Sequence, residues 1–469
     1  MFQELIAKNV GMPLKSLFKG DKISRVLPDL VNNQYLSCDE LYHLQTSKLK
    51  NLLCYVKDNI PFYSKLLNSM DVDPNHEDPW ELLYLLPLMD KETYRNNSKD
   101  LMPFTNKISP SIGYTSGSTG DRFKYHIDKN AIKYMYLSGY RGRMWSGIYP
   151  GDIQYKIWGN GSYSFLKKSY SKKFITRSIS DWLLGRYVIS PKFNNDSDLA
   201  EAVQLLLKIK PKFVFGYANS LYSVAKYIVD NNIVLGPDWP KVVFYTSEML
   251  YDAQKEVVKN AFRCSLMSEY GSAEFGVMAH TCPEGQFHVS DDLYIMEVFD
   301  GDNKLDMGQT GEIVVTNLMS LNYPMIRYRH GDIGAYSKIK CQCGLNFGIL
   351  SDLQGRKNDI LKSPSGKEIN FLGFGPAFKG QEHIKRFKVI ERDTGDLLLF
   401  CELIGVTTWP IKDRETFLNT CKQLLPSDVT LEIGYIGKLQ NDNSGKFKII
   451  IPSNQAKPYL DLMVQRKNI

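Results

Sequence analysis

The chain of 469 residues has no uncharged apolar run approaching the 18 or more residues of a membrane-spanning helix, so integral membrane association is not expected. Residues 1–19 lack a continuous apolar core and a small-residue cleavage site, which argues against a secretory signal. Their periodic apolar positions and lysines predict a packing helix, with a membrane-surface helix as the alternative. There is no internal repeat and no long low-complexity tract. The net charge is +7, but the basic residues are scattered in pairs such as Lys167-Lys168 and Lys172-Lys173. No basic stripe interleaved with aromatics is present, so nucleic acid is not an expected partner. The mild positive balance suits small polyanionic substrates. Cysteine is scarce, at eight residues, and most stand alone in apolar segments as reduced core thiols do. That usage points to a reducing compartment, so a cytoplasmic location is expected.

The chain also lacks the Gly-Lys-Ser/Thr of a P-loop. It has instead Ile112-Gly113-Tyr114-Thr115-Ser116-Gly117-Ser118-Thr119-Gly120, whose last six residues are all glycines or hydroxyl residues. Glycine lets backbone approach an anion closely, and hydroxyls and free N–H groups can hold phosphate oxygens. A plain surface loop is the alternative. The next residues, Asp121-Arg122-Phe123-Lys124-Tyr125-His126-Ile127, alternate polar and apolar like a strand, and Asp128 is placed to cap a helix beginning afterwards. A strand–loop–strand phosphate clamp is therefore predicted, not a P-loop.

Residues 1–100 read as largely helical, with helical apolar spacing over 41–57 ending before Ile60-Pro61. From about 110 to 275, short apolar strands alternate with amphipathic helices: strands at 212–217 and 241–246, helices at 220–230 and 251–261. This predicts an α/β fold with a doubly wound, mostly parallel sheet, which binds ligands beyond the carboxyl ends of its strands. Thr246-Ser247-Glu248 and Tyr270-Gly271-Ser272-Ala273-Glu274 fall at such ends. A β-rich region follows, with strands at 293–299 and 312–317. The last hundred residues read as a small α+β domain: a hairpin around Asp393-Thr394-Gly395-Asp396, a helix near 413–425 and a strand near 430–435. The expected organisation is a large domain over 1–354, a hinge at 355–359 and a small mobile domain over 360–469.

Two of the cysteines form Cys341-Gln342-Cys343-Gly344, too short for an unstrained internal disulfide. Upstream lie Cys282 and His288. Three thiolates and one imidazole make the closed donor set of a structural zinc site. His280 competes with His288 for the fourth place, and four unrelated residues are the alternative.

In these motifs and in their order, the chain resembles adenylate-forming enzymes of the acyl-CoA synthetase type, in the branch of phenylacetate–coenzyme A ligases and their capsule-biosynthesis relatives. The resemblance runs over nearly the whole chain. It rests on Tyr114 to Gly120, Thr246-Ser247-Glu248, the run Tyr270 to Glu274, Ile326-Arg327-Tyr328-Arg329-His330-Gly331-Asp332, Gly355-Arg356, and Asn443-Ser444-Gly445-Lys446. It implies ATP-dependent activation of a small-molecule carboxylate to acyl-AMP, then transfer to a thiol, with coenzyme A the expected acceptor. It further implies that Thr115, Ser116, Gly117, Ser118, Thr119 and Gly120 hold the β- and γ-phosphates. Ser247, Glu248, Tyr270, Gly271 and Ser272 would surround the nucleotide. Glu274 would ligate Mg²⁺, Asp332 would accept from the ribose hydroxyls, and Arg356 would add a second contact to ribose or phosphate. Lys446 would bridge carboxylate and α-phosphate. Some members of this branch carry cysteines and a histidine matching the Zn²⁺ set.

Departures from the family pattern are local. Gly120 is followed by Asp121-Arg122 where glycine-lysine-proline is usual, so Arg122 or Lys124 stands in for the usual cation, or the cation is missing. At the hinge, the position that usually carries aspartate or lysine is Asn358, with Asp359 beside it. Trp158, Tyr217 and Tyr245 are candidate walls of the acyl pocket, with a core role as the alternative. The sequence also admits two rival functions: adenylation with transfer to an amine of a sugar or amino acid, or to a carrier thiol, in surface polysaccharide synthesis; and nucleotide binding without catalysis. A monomer or homodimer is expected.

Overall fold

The structure, a computed structural model, describes residues 2–19, 23–105, 111–114, 124–159, 179–193, 195–250, 252–356, 360–370, 377, 381, 383–403, 405–437, 439 and 449–460. These fall into two compact units, 1–249 with 257–353 and 250–256 with 354–469.

Local signals account for the helical start of the first unit. Ser37 and Glu40 form a reciprocal capping box ahead of the helix Cys38–Asn59. That helix stops where Pro61 opens the next one, Pro61–Ser69. Leu49, Leu52, Leu53 and Val56 line one face and are fully buried, which gives the helix its seat on the core.

Among the described residues, twelve strands form the main sheet. Five are parallel neighbours: β4 (Arg186–Ile189), β3 (Gln154–Ile157), β5 (Phe213–Tyr217), β6 (Val242–Thr246) and β7 (Ser265–Ser272). Helices Asp196–Ile209, Ala218–Asp230 and Asp252–Phe262 connect them. Every residue of β5 is buried, which is why these strands read as apolar runs and not as alternation. From β7 the sheet turns antiparallel through β8 (Gly276–Thr281) and β9 (Phe287–Val289) to β14 (Ile349–Arg356). It continues through β13 (Tyr328–Ser337) and β12 (Thr310–Asn317) to β10 (Tyr294–Asp300) and β11 (Asn303–Lys304). A separate hairpin pairs β1 (Ser111–Tyr114) with β2 (Lys124–Ile127).

In the second unit, four strands lie in the order Leu431–Tyr435, Leu397–Leu403, Ile384–Glu391, Ile450–Ile451. The helix Ile411–Leu424 buries Phe417 and Cys421 in a core with Val389, Leu399 and Cys401. The mixed α/β architecture with a smaller α+β part is the one the sequence predicts. Among the described residues, no helix is long and apolar enough to cross a membrane.

Candidate active site

The β1–β2 hairpin brackets the hydroxyl–glycine run in sequence, with Tyr114 opposite Lys124. Thr115, Ser116, Gly117, Ser118, Thr119, Gly120 and Arg122 lie outside the described residues. Lys124, a candidate replacement cation, is exposed. A Cβ on Gly113 would lie 2.4 Å from the ring of Tyr125 across the hairpin, so only glycine lets that ring cross the ladder. Burial, and then the nearby charge of Glu274, push the Tyr125 phenol well above its ordinary range. The hairpin therefore comes close to Glu274.

Glu274 sits in the tight connection from β7 to β8. A Cβ on Gly271 would lie 2.0 Å from the Gly276 carbonyl, so this connection needs glycine at 271. The Ser272 hydroxyl accepts from the Phe275 amide at 3.4 Å. Glu274 is only 7% exposed and has no hydrogen-bond or ion-pair partner among the described residues. A carboxylate so placed is costly unless a cation joins it. Glu269, five residues earlier on β7, is satisfied by Arg143 at 2.6 and 3.1 Å.

Asp332 is presented by a bulge. Glu312 pairs with Ile333 and Val314 with Arg329, so β13 takes four steps to two on β12. The extra residues lie at 330–332, with Gly331 at φ 83°. There the Tyr270 hydroxyl donates to Asp332 Oδ2 at 2.9 Å and lies 3.2 Å from His330 Nδ1. His330 Nδ1 is itself 2.9 Å from the same carboxylate oxygen. Three strands separate β7 from β13 in the sheet order, so the sheet must curl for this contact to form. Nothing in the sequence marks His330 as a site residue, because its partnership with Tyr270 spans 60 residues.

The two arginines of that motif have structural work. Arg327 spans Glu297 at 3.2 Å and the Leu86 carbonyl at 2.6 Å. Arg329 bonds Glu312 and Asp302, both at 2.6 Å. Ser247 holds φ 70° in the turn after β6, an uncommon conformation for a side-chain-bearing residue. Its neighbour Glu248 accepts from the Asn219 amide and side chain, both at 3.1 Å. Glu248 thus caps the helix Ala218–Asp230, whose own N-cap Tyr217 makes no side-chain bond. Arg356 ends β14 and is exposed. Lys446 and Asn358 lie outside the described residues.

The three aromatic pocket candidates separate. Trp158 stacks on Tyr217 with centroids 4.4 Å apart and on Phe215 at 5.4 Å. Tyr217 is opposite Thr246 in the β5–β6 register. Tyr245, one residue earlier on β6, consequently points to the other face of the sheet. A buried parallel strand carries apolar residues on both faces, so the sequence could not divide them.

Away from this region, Cys282, His288, Cys341 and Cys343 place their ligand atoms within 4.8 Å of one another. Cys282 and Cys341 sulfurs are 3.8 Å apart, the edge expected of a tetrahedron with Zn–S bonds of about 2.3 Å. His288 Nδ1 is 2.9 Å from the Phe347 carbonyl, leaving Nε2, 3.2 Å from Cys343 Sγ, toward the cluster. That is the outer contact a zinc-ligating histidine uses to fix its tautomer. The cluster does not include His280; burial presses the His280 pKa down to about 4.

No protein-family model matches the chain. It is 22% identical over 425 residues to Protein CapK of Staphylococcus aureus, covering 88% of this chain and 90% of that one. It is 24% identical over 334 residues to a phenylacetate–coenzyme A ligase of Thermus thermophilus, covering 69% and 72%. Among solved structures, a 2-hydroxyisobutyryl-CoA ligase in its postadenylation state, in complex with 2-HIB-AMP, matches with a TM-score of 0.73 at 16% identity, over 92% of this chain and 94% of that one. An anthranilate CoA ligase in complex with anthranoyl-AMP matches with a TM-score of 0.52 at 14% identity, over 76% and 67%.

Proposed function

We propose that this chain, which resembles adenylate-forming acyl-CoA synthetase-like enzymes in sequence and has their fold, is an AMP-forming acid–thiol ligase. The observation that carries the reading is the fold shared over 92% of the chain with a ligase bound to its acyl-AMP. The motif residues in family order support it. The acid's carboxylate oxygen attacks the α-phosphorus of ATP and pyrophosphate leaves; a thiol sulfur then attacks the acyl carbon and AMP leaves. The first step brings two anions together, so it needs fixed positive charge and donors. Residues 115–120 would hold the β- and γ-phosphates, and Lys446 would lie between carboxylate and α-phosphate. The unpartnered Glu274 fits a Mg²⁺ ligand, a hard cation that takes carboxylate and phosphate oxygens and offsets their charge. Ser247, Glu248, Gly271 and Ser272 would shape the nucleotide's surroundings through backbone turns, with Arg356 contacting ribose or phosphate. The four-residue Cys/His cluster would hold a structural Zn²⁺ with no open position for chemistry.

Coenzyme A is the acceptor this reading takes, because the phenylacetate ligase that the chain resembles joins its acid to that thiol. Carboxylate-dependent ATP–pyrophosphate exchange over a panel of acids tests the first half-reaction. Product analysis with and without coenzyme A, and with amino sugars or amino acids, tests the second. No exchange with any acid would leave only nucleotide binding.

Asp332, held by Tyr270 and His330, is assigned to the ribose hydroxyls. Asp332→Asn should weaken ATP binding by about tenfold, since a hydrogen bond to a charged group contributes about 1.5–3 kcal/mol. Calorimetric titration should also show that the variant no longer distinguishes ATP from its 2′- and 3′-deoxy forms. Retained discrimination would move the ribose elsewhere.

A hinge at 355–359 is proposed because the two half-reactions need different neighbours around one acyl-AMP. The 2-hydroxyisobutyryl-CoA ligase has been solved in postadenylation, open and thioesterification states. Asn358→Pro should fix one arrangement and impair one half-reaction far more than the other, when adenylation and thiol transfer are assayed separately. Equal loss of both would mark the segment as an ordinary linker.

A further inference from the structure

The face of the sheet that carries Trp158 and Tyr217 is not uniformly apolar. Lys156 lies two residues before Trp158 and, by strand alternation, on the same face. Its Nζ sits 4.6 Å from the Trp158 ring centroid and 5.0 Å from that of Phe215. It makes no hydrogen bond or ion pair to any described residue. Arg143 stands over the same Phe215 ring at 4.6 Å, but its charge is matched by Glu269 at 2.6 Å. Arg186, opposite Gln154 on β4, donates to the neutral Tyr140 hydroxyl at 3.1 Å. Among the described residues the face holds more cationic than anionic side chains, and the direct contacts of the half-buried Lys156 ammonium are aromatic rings, while Glu269, already bonded to Arg143, and Asp181 attract it only through space. Burial, then the charges of Arg186 and Arg143, drive its pKa down to about 7, against a smaller upward pull from Glu269 and Asp181. A group in that position is expensive to keep charged unless an anion joins it.

Depth along the strand says which part of a ligand would meet it. Ligands enter such sheets from beyond the carboxyl ends of the strands. Trp158 and Tyr217 are at that end; Lys156 is two residues, about 7 Å, deeper. The acid's reacting carboxylate must stay at the entrance, beside the nucleotide. What reaches Lys156 is the far end of the acyl group.

We propose that Lys156 is a specificity-determining residue that binds a second acidic group at the distal end of the acyl substrate, so that the acid activated is a dicarboxylic acid. This rests on the ligase reading and on the assignment of the Trp158–Tyr217 face to the acyl group. The rings supply the walls for the connecting segment, and the ammonium supplies the selectivity that rings cannot.

The experiment compares matched acids: hexanoate with adipate, and phenylacetate with 4-carboxyphenylacetate. In the intact chain, pyrophosphate-exchange kcat/KM should favour the diacid of each pair. In Lys156→Met the diacid-to-monoacid ratio should fall by at least about tenfold, as expected when one partner of a buried charge pair is removed. Lys156→Arg should restore part of the ratio. Methionine replaces the lysine stem at similar volume and removes an isolated charge, so folding should be retained, and thermal melting checks it. A merely structural lysine would lower both acids in parallel and leave the ratio unchanged, which overturns the proposal. Calorimetric binding of the diacids without turnover separates the two readings. Diacid binding lost in Lys156→Met, with no exchange by any acid, keeps the anion site and removes the ligase. Exchange without diacid preference does the reverse.

Discussion

Lys446→Ala should abolish acyl-AMP formation while leaving the melting temperature unchanged. Lys446 follows Asn443-Ser444-Gly445, a polar, glycine-containing stretch in the C-terminal part of the chain. That composition is not one of a core segment, so folding should be retained, and thermal melting checks it. The cost falls on the reaction. When a carboxylate approaches the α-phosphate, negative charge accumulates between two groups that repel each other. A cation held between them is stronger in the transition state than in either ground state, which is the condition for raising kcat and not merely binding. Removing one preorganised stabiliser of a developing anion costs about two to three orders of magnitude. Acid-dependent ATP–pyrophosphate exchange should fall by that much. Thiol transfer from supplied acyl-AMP should suffer far less, because in that step AMP is the leaving group and the α-phosphate gains no second anion. Unchanged exchange in the variant would remove Lys446 from the mechanism and shift the cation's role to Arg122 or Lys124.

The parallel half of the sheet was readable because its physics is local. A strand covered on both faces shows up as an apolar run, and Phe213-Val214-Phe215-Gly216-Tyr217 is one. The sequence predicts the following helix over 220–230, and it begins at Ala218. The two-residue error has a cause: its cap is Glu248, supplied from the turn after the next strand, and no cap residue precedes the helix in sequence. The site follows the same division. Glu274, Asp332 and Tyr270, as candidates, are legible as members of short motifs. The partners that define their states are not. The bond from Tyr270 to Asp332 joins residues 62 apart in sequence, and Arg143 meets Glu269 across 126. Lys156 carries no motif signal in the sequence; only the sheet register puts it beneath Trp158 and over Phe215. The face taken by Tyr245 was hidden for the opposite reason, because neighbouring aromatics in a doubly covered strand carry no sign of which side each occupies.

The four Cys and His residues that the sequence offers as a zinc set do converge in space, and they lead to the second large effect expected of this chain. Protein purified without chelator should contain about one zinc per chain. Cys341→Ser combined with Cys343→Ser should lose it and lower the melting temperature by about 5 °C or more, since structural zinc contributes folding free energy directly and each kcal/mol shifts a large domain by about 2–4 °C. The reason lies in which elements the cluster joins. Cys282 begins the turn from β8 to β9, closed by the Cys282 amide bonding to the Gln286 carbonyl at 2.8 Å. His288 is the middle residue of β9. Cys341 and Cys343 lie in the connection from β13 to β14, where the Gly344 amide reaches the Cys341 carbonyl at 3.3 Å. Between these two turns the sheet depends on β9, a strand of three residues that meets β14 in two pairs only, His288 with Ile349 and Phe287 with Leu350. So short a ladder holds weakly. Four metal bonds across it would clamp the antiparallel half of the sheet to β8, and through β8 to β7 and the parallel half. Burial pushes the Cys282 and Cys343 thiols upward in pKa; binding zinc requires them as thiolates, so uptake should release protons and weaken as pH falls. Metal analysis of the intact chain and thermal melts with and without a chelator check this. A chain that holds no zinc, or a double serine variant that melts with the parent, would reduce the cluster to four neighbouring side chains and leave β9 to hold by its ladder alone.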